Sequence, residues 1–214
     1  MEEERKNNSL LVSNEDYLES GIHIGTKIRT GDAKGFVYKK RKDGIYIIDV
    51  EKIDLGIRKA MEIIKGYETR DILVVATRMY TSNAAHKLKS LFPDINVIEK
   101  RFIPGTLTNI KSTHFTEPKI TIVTDPRAEK EAIKESNAMR IPVIGLVDTD
   151  NVLEGIDNPV PMNNKGRKSL ALLFWLISRE ISMKEGKIKA YNDFKVPISF
   201  FEKIELGEDE EAGK

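Results

Sequence analysis

Residues 118–150 read PKITIVTDPRAEKEAIKESNAMRIPVIGLVDTD, which spells a strand, a helix and a second strand with almost no slack between them. Ile120, Ile122 and Val123 stand among threonine and lysine over residues 119–123, the composition of a buried strand closed by the polar pair Thr124 and Asp125. The pattern predicts a helix from Asp125. Its carboxylate would accept from first-turn amides, Pro126 would sit where a missing amide costs nothing, and Glu129 and Glu131 would suit the positive helix end. Ala128, Ala132, Ser136 and Met139, with Ile133 beside them, repeat at helical spacing and need a sheet to lie on. Arg140 and Pro142 stop the helix, and residues 143–147, VIGLV, are apolar enough to be buried on both faces, as parallel strands are. Two parallel strands joined by a helix make one right-handed crossover unit.

Outward from this unit, strand and helix alternate. DILVVA at 71–76 is a second parallel-strand candidate, followed by a helix over 83–91 that Pro93 ends, and by a short strand at 96–98. Upstream, Ser13, Asn14 and Asp16 suit the start of a short helix over 15–20. Asp49 is placed to cap a helix whose apolar face is Ile53, Ile57, Ala60, Met61 and Ile64. Downstream, residues 158–162 supply a last strand whose two prolines fit an edge, and Asn163 or Asn164 would cap a final helix with the all-apolar core LALLFWLI at 170–177. Residues 101–115, RFIPGTLTNIKSTHF, have no sustained period and read as an ordered surface loop. The division expected is an N-terminal helix and basic hairpin over 1–48, an α/β core over 49–185, and a loosely attached acidic tail over 186–214. Residues 1–9 would be a disordered lead-in.

Lys plus Arg number 35 against 34 Asp plus Glu, so clustering matters more than net charge. There are no cysteines, hence no disulfides or thiolate metal sites, and no apolar run reaches the roughly 18 residues of a membrane span. The MEEER opening is not a signal peptide, and a cytoplasmic, membrane-free protein is expected. No glycine-rich phosphate loop follows a strand, the three histidines are scattered, and no serine lies in a nucleophile elbow. No cofactor, metal or small-molecule substrate is therefore expected. An enzyme on an open parallel sheet would work at the carboxyl ends of its strands, where Thr77, Arg78, Thr124, Asp125, Asp148 and Asp150 fall. A magnesium site on Asp125 and Asp148 is the enzymatic alternative. A protein-docking module using 170–177 and the aromatic tail is the third.

The basic segment differs in kind. From residue 23 to 42 stand Lys27, Arg29, Lys34, Lys39, Lys40, Arg41 and Lys42 against one acid, Asp32, with glycines between them. Residues 36–38 and 45–48 would pair as a hairpin whose tip, 39–44, projects as a basic knob. Closely spaced cations neutralise successive phosphates, and a second cluster, Lys165, Arg167 and Lys168, opens the last helix. Aromatic stacking platforms are absent from this reading, so no single-strand readout is implied.

The motifs YLESGIHIGTK (17–27), GIYIIDVEKI (44–53), RFIPGTLTN (101–109), residues 123–150 and NNKGRKSLALLFWL (163–176) occur in order over most of the chain. Together they resemble the S-two family of small-subunit ribosomal proteins in its archaeal and eukaryotic form. The resemblance implies a flavodoxin-like three-layer α/β sandwich with a mostly parallel sheet, residence in the small ribosomal subunit, contacts with rRNA and neighbouring ribosomal proteins, and no catalysis. It implies rRNA contact at Lys27, Arg29, Lys39, Lys40 and Arg41, and at Arg101 and Asn109 of the central loop. The long helical hairpin that bacterial members carry after the segment matching LTNIK is missing, since Lys111 is followed closely by the strand at 119.

Overall fold

The computed structural model describes residues 10–204; the charged lead-in and the last ten residues of the acidic tail lie outside them. The core is a five-stranded, all-parallel sheet of β3 (Ile72–Val75), β4 (Asn96–Ile98), β5 (Ile120–Val123), β6 (Val143–Val147) and β7 (Asn158–Pro161), in the order β4-β3-β5-β6-β7. A separate antiparallel ribbon pairs β1 (Val37–Lys40) with β2 (Tyr46–Ile48). Lys39 and Lys40, expected in the tip, belong to the first strand of this ribbon. Six α-helices and three short 3-10 helices complete the described chain, the α-helices being α1 (Asn14–Glu19), α2 (Val50–Lys65), α3 (Met79–Leu91), α4 (Lys130–Ala138), α5 (Arg167–Lys184) and α6 (Ile198–Glu202).

Period-two alternation divides the strands between two faces. Ile72, Val74, Ile120, Ile122, Ile144 and Leu146 enter a large core with the buried stripes of α2, α3 and α5. Leu73, Val75, Val123 and Val143 face the other way, onto Ala132 and Ile133 of α4 and onto Phe102 and Leu107. Helices thus cover both faces, thickly on one and thinly on the other, as in a flavodoxin-like three-layer α/β sandwich. The thin side explains Gly145, because a Cβ there would lie 2.7 Å from Ile156 Cδ1 in the β6–β7 connection. It also anchors the 101–115 loop, most of which is exposed. Phe102 and Leu107 are core residues, and the Glu135 carboxylate on α4 accepts from the Gly105 and Leu107 amides at 2.5 and 3.0 Å.

Capping follows local chemistry in α1 and α2, where Ser13 Oγ accepts from the Asp16 amide and the Asp49 carboxylate from the Glu51 amide. Two helix starts differ from expectation. α4 begins at Lys130, not at Asp125, because residues 126–128 form a turn in which Asp125 Oδ1 accepts from the Arg127 amide. Met139, placed on the apolar stripe by its spacing, follows the last helical residue and is exposed. α5 begins at Arg167, since Asn163 uses Oδ1 on the Lys165 and Gly166 amides and so holds the turn before the helix.

The apolar run on α5 is consumed inside the chain. Leu170–Phe174, Leu176 and Ile177 are all buried, and α2, α3 and α6 pack on this helix. Trp175 Nε1 donates to the Val196 carbonyl at 2.6 Å, and Phe201 of α6 is 1% exposed. Loose attachment beyond residue 186 is therefore corrected up to residue 204: apolar burial fastens this segment. The surface needed by the docking alternative is covered by the protein itself.

Candidate nucleic-acid interface

The basic stretch has an ordered frame. Residues 23–30 lie between the ribbon and the carboxyl end of the large sheet. The Gly25 amide donates to the Tyr46 carbonyl, the Tyr46 amide to the Thr26 carbonyl, and the Ile48 amide to the His23 carbonyl, at 2.8–2.9 Å. On the other side the Thr26 amide donates to Thr149 Oγ1 at 3.0 Å, the Thr30 amide to the Thr149 carbonyl at 2.9 Å, and Thr30 Oγ1 to the Asn151 carbonyl at 2.8 Å. With the backbone so engaged, the side chains of Lys27, Arg29 and Lys34 are left exposed. Arg29 and Lys40, far apart in sequence, both lie over the Tyr46 ring, at 5.6 and 5.1 Å from its centroid. At the tip Gly44 takes φ +90°, and Arg41 pairs with Asp43 at 2.9 Å, leaving Lys42 exposed beside them. A groove of about 1020 Å³ runs between the ribbon, α1 and α2, lined among others by Leu18, Tyr38, Lys39, Arg41 and Leu55.

The second cluster separates on folding. Lys165 Nζ is held by Asp150 at 2.7 Å and by Asp148 at 3.2 Å, so its charge is offset within the protein. Arg167 is exposed, and exposed Lys168 lies 3.7 Å from Glu19. Arg101 and Asn109 are both exposed on the central loop, remote in sequence from the ribbon; Asn109 Oδ1 accepts from the Lys111 amide at 3.1 Å.

The acids at the carboxyl ends of the strands are occupied in the same way. Asp148 is buried, accepts from the Thr149 amide at 2.6 Å and faces Lys165; burial pushes its carboxyl up, and the lysine opposes the shift. Asp125 is buried against Arg78, which bonds its Oδ2 through Nε and a terminal nitrogen. Glu129, assigned only to a helix dipole by the sequence, is 1% exposed. It accepts from the Thr77, Thr124 and Asp125 amides at 2.8–3.0 Å and from the Thr77 and Thr124 hydroxyls at 3.0 and 3.1 Å. Burial raises its carboxyl to about 7, against the pull of these donors. Its position four residues after Asp125 was legible; the Thr77 amide it would meet beyond the end of β3 was not. His86 Nδ1 meets Glu99 at 3.0 Å, and among the described residues no three His, Asp or Glu side chains are grouped to hold a metal ion. No described helix is long and apolar enough to cross a membrane. Where an open α/β enzyme would bind its ligand, this chain places the 23–30 segment and neutralised carboxylates.

The family model described as Ribosomal protein S2 matches residues 17–117 and 112–184, most of the chain. The chain belongs to the ribosomal protein S2 family. Among similar members are small ribosomal subunit proteins uS2 of Thermoplasma acidophilum, 42% identical over 193 residues and covering 90% of this chain and 96% of that protein, and of Picrophilus torridus, 41% identical over 202 residues with 94% and 98% covered. The uS2 of Methanococcus maripaludis is 41% identical over 191 residues, covering 87% and 86%. Membership in the S2 family makes the chain a structural constituent of the small ribosomal subunit, with a role in translation and no enzymatic activity.

Proposed function

We propose that the protein is held in the small subunit by rRNA phosphates bound along residues 27–42. The observation that carries this is the arrangement of Lys27, Arg29, Lys34, Lys39, Lys40 and Lys42. All are exposed, the segment carrying Lys27 and Arg29 is hydrogen-bonded to both the ribbon and the sheet end, Lys39 and Lys40 stand on the ribbon, and Arg29 and Lys40 lie over one tyrosine ring. Cations fixed on a rigid frame lose little entropy on meeting phosphates. Arg167, Lys168, Arg101 and Asn109 form a secondary set, and Lys165 serves the fold. Neighbouring small-subunit proteins are the other partners, with exposed Ile103 and Ile110 of the central loop as apolar surface offered to them.

The test is binding of the full chain to its small-subunit rRNA across a salt series. Replacing Lys39, Lys40, Arg41 and Lys42 by serine is expected to flatten the log–log slope by roughly 3 units at about 0.9 per phosphate, slightly below the four-contact value because Arg41 already has Asp43. Replacing Arg167 and Lys168 gives a smaller change. An unchanged slope in the folded four-serine variant would overturn the proposal.

A further inference from the structure

Tyr38 is 68% exposed, and no described hydrophobic cluster takes up its ring. It occupies the one irregular point of the ribbon. Val37 pairs with Ile48 and Lys39 with Ile47, so two successive pairs on β1 skip Tyr38 while β2 advances by one residue, the pattern of a bulge. A bulge re-aims a side chain out of the ladder at a cost in pairing. The ring lines the groove with Leu18 and Leu55, and basic side chains stand beside it. Lys39 Nζ lies 5.4 Å from its centroid, Lys40 is held over Tyr46, and among the described residues Lys39, Lys40 and Lys42 have no carboxylate partner. The sequence had assigned Tyr38 to the ribbon's pairing and had found no stacking platform; the bulge leaves this ring exposed.

We propose that Tyr38 is a stacking platform for a single unpaired RNA base, with phosphates of the same strand on Lys39, Lys40 and Lys42. The inference rests on the phosphate-binding reading above and adds to it a ligand that a regular duplex does not offer. Every base has a π-face, so such a contact tolerates sequence, and alanine substitution removes the stack without removing a phosphate contact. A protein segment seated on the same ring would also have to cover the lysines, whereas a nucleotide brings its own neutralising charge.

The experiment compares the full chain with Tyr38→Ala, Tyr38→Leu and Tyr38→Phe on two probes. One is a short single-stranded oligoadenylate carrying one 2-aminopurine, and the other an RNA duplex of equal length. Tyr38→Ala is expected to weaken single-strand binding about 5- to 150-fold, the range that one base stack is worth, and to abolish 2-aminopurine quenching. Its salt slope and its duplex affinity should match wild type. Tyr38→Phe should behave as wild type and Tyr38→Leu as Tyr38→Ala. Unchanged single-strand affinity in the alanine variant, retention of affinity by leucine, or equal losses on both probes would overturn the stacking assignment. Leucine retention would indicate an apolar contact, as a protein partner makes. Stacking fails alone if wild-type binding is steeply salt-dependent while single-strand affinity is the same with and without the Tyr38 ring; absence of salt-dependent binding to both probes would overturn it together with the phosphate reading.

Discussion

Gly25 lies against Thr149 so closely that a Cβ on the glycine would sit 2.5 Å from Thr149 Cγ2, with the Tyr46 carbonyl oxygen 2.9 Å away on the other side. The basic segment is thereby clamped between the ribbon and the sheet end, and neither neighbour has room to withdraw without losing a hydrogen bond to residues 25 and 26. Rigidity of the cationic surface comes from this contact.

Gly25→Ala should therefore destabilise the fold by about 1–3 kcal/mol, the usual cost of overpacking, although alanine is the less flexible residue in the unfolded chain. Urea unfolding reads the effect. Thr149→Ala alone loses the acceptor for the Thr26 amide, but the double variant should lose less than the two single costs added, since the methyl clash is gone. An unchanged midpoint for Gly25→Ala would show that the segment gives way easily.

Glu129 makes stability depend on pH with a definite sign. Its folded value, about 7, is above its ordinary value of 4.5, so between these limits the folded state binds more protons than the unfolded one. This contribution is complete below about pH 4.5 and is lost as pH rises through 7, by up to roughly 3 kcal/mol. Unfolding of wild type between pH 5 and 8 should show the decline. Glu129→Gln should be flatter over that window and less stable throughout at acid pH, because its amide nitrogen cannot accept from the Thr77, Thr124 and Asp125 amides. Parallel curves for the two proteins would refute the assignment.

Arg78→Ala leaves the buried Asp125 carboxylate without its cation, and a loss of about 3 kcal/mol is expected. Asp125→Asn should cost less, about 1 kcal/mol, since the amide oxygen still accepts from the Arg127 amide and Arg78, being partly exposed, rehydrates. Combined, the two changes should cost less than their sum. Additive losses in thermal unfolding would mean that the pair is not coupled.

These residues also show what the sequence could tell. Strands at 96–98 and 143–147 were legible to the residue and the one at 158–161 to within one, because short apolar runs bounded by Pro, Gly and Asn have one structure open to them in a parallel sheet. The start of α4 was not, because Asp-Pro resembles a cap only while its neighbours are ignored. Asp125 is claimed by Arg78, 47 residues earlier, and the Thr124 and Asp125 amides by Glu129. The exposed cations from Lys27 to Lys42 were evident from charge alone. The pairing of Lys165 within the protein could not be read without seeing Asp148 and Asp150 close on it. Tyr38 required the ribbon's register, which a one-residue irregularity hides from any periodic reading.

The C-terminal segment gives the last prediction, since sequence and structure diverge there most. Residues 186–204 have no helical period long enough to announce burial, yet Phe201 is 1% exposed among α3 and α5 contacts, and Asn83 Nδ2 donates to the Lys203 carbonyl at 2.8 Å. Arg179 adds a second tie. Its guanidinium lies 4.7 Å from the Trp175 ring and 4.5 Å from that of Tyr191, whose hydroxyl donates to Glu180 at 3.0 Å. Phe201→Ala should cost about 3–5 kcal/mol, as for other buried phenylalanines, which for a chain of this size lowers Tm by roughly 10 °C. Ending the chain after residue 196 should cost at least as much, because it removes α6 whole and uncovers the apolar face of α5. Ending it after residue 204 should leave Tm nearly unchanged, since it keeps Phe201 and the Lys203 carbonyl and removes a segment rich in acids. Thermal melts of the three variants separate the cases. A Phe201→Ala protein that melts with wild type would mean that α6 leaves α5 at no cost, and the aromatic end would then be free for a partner after all.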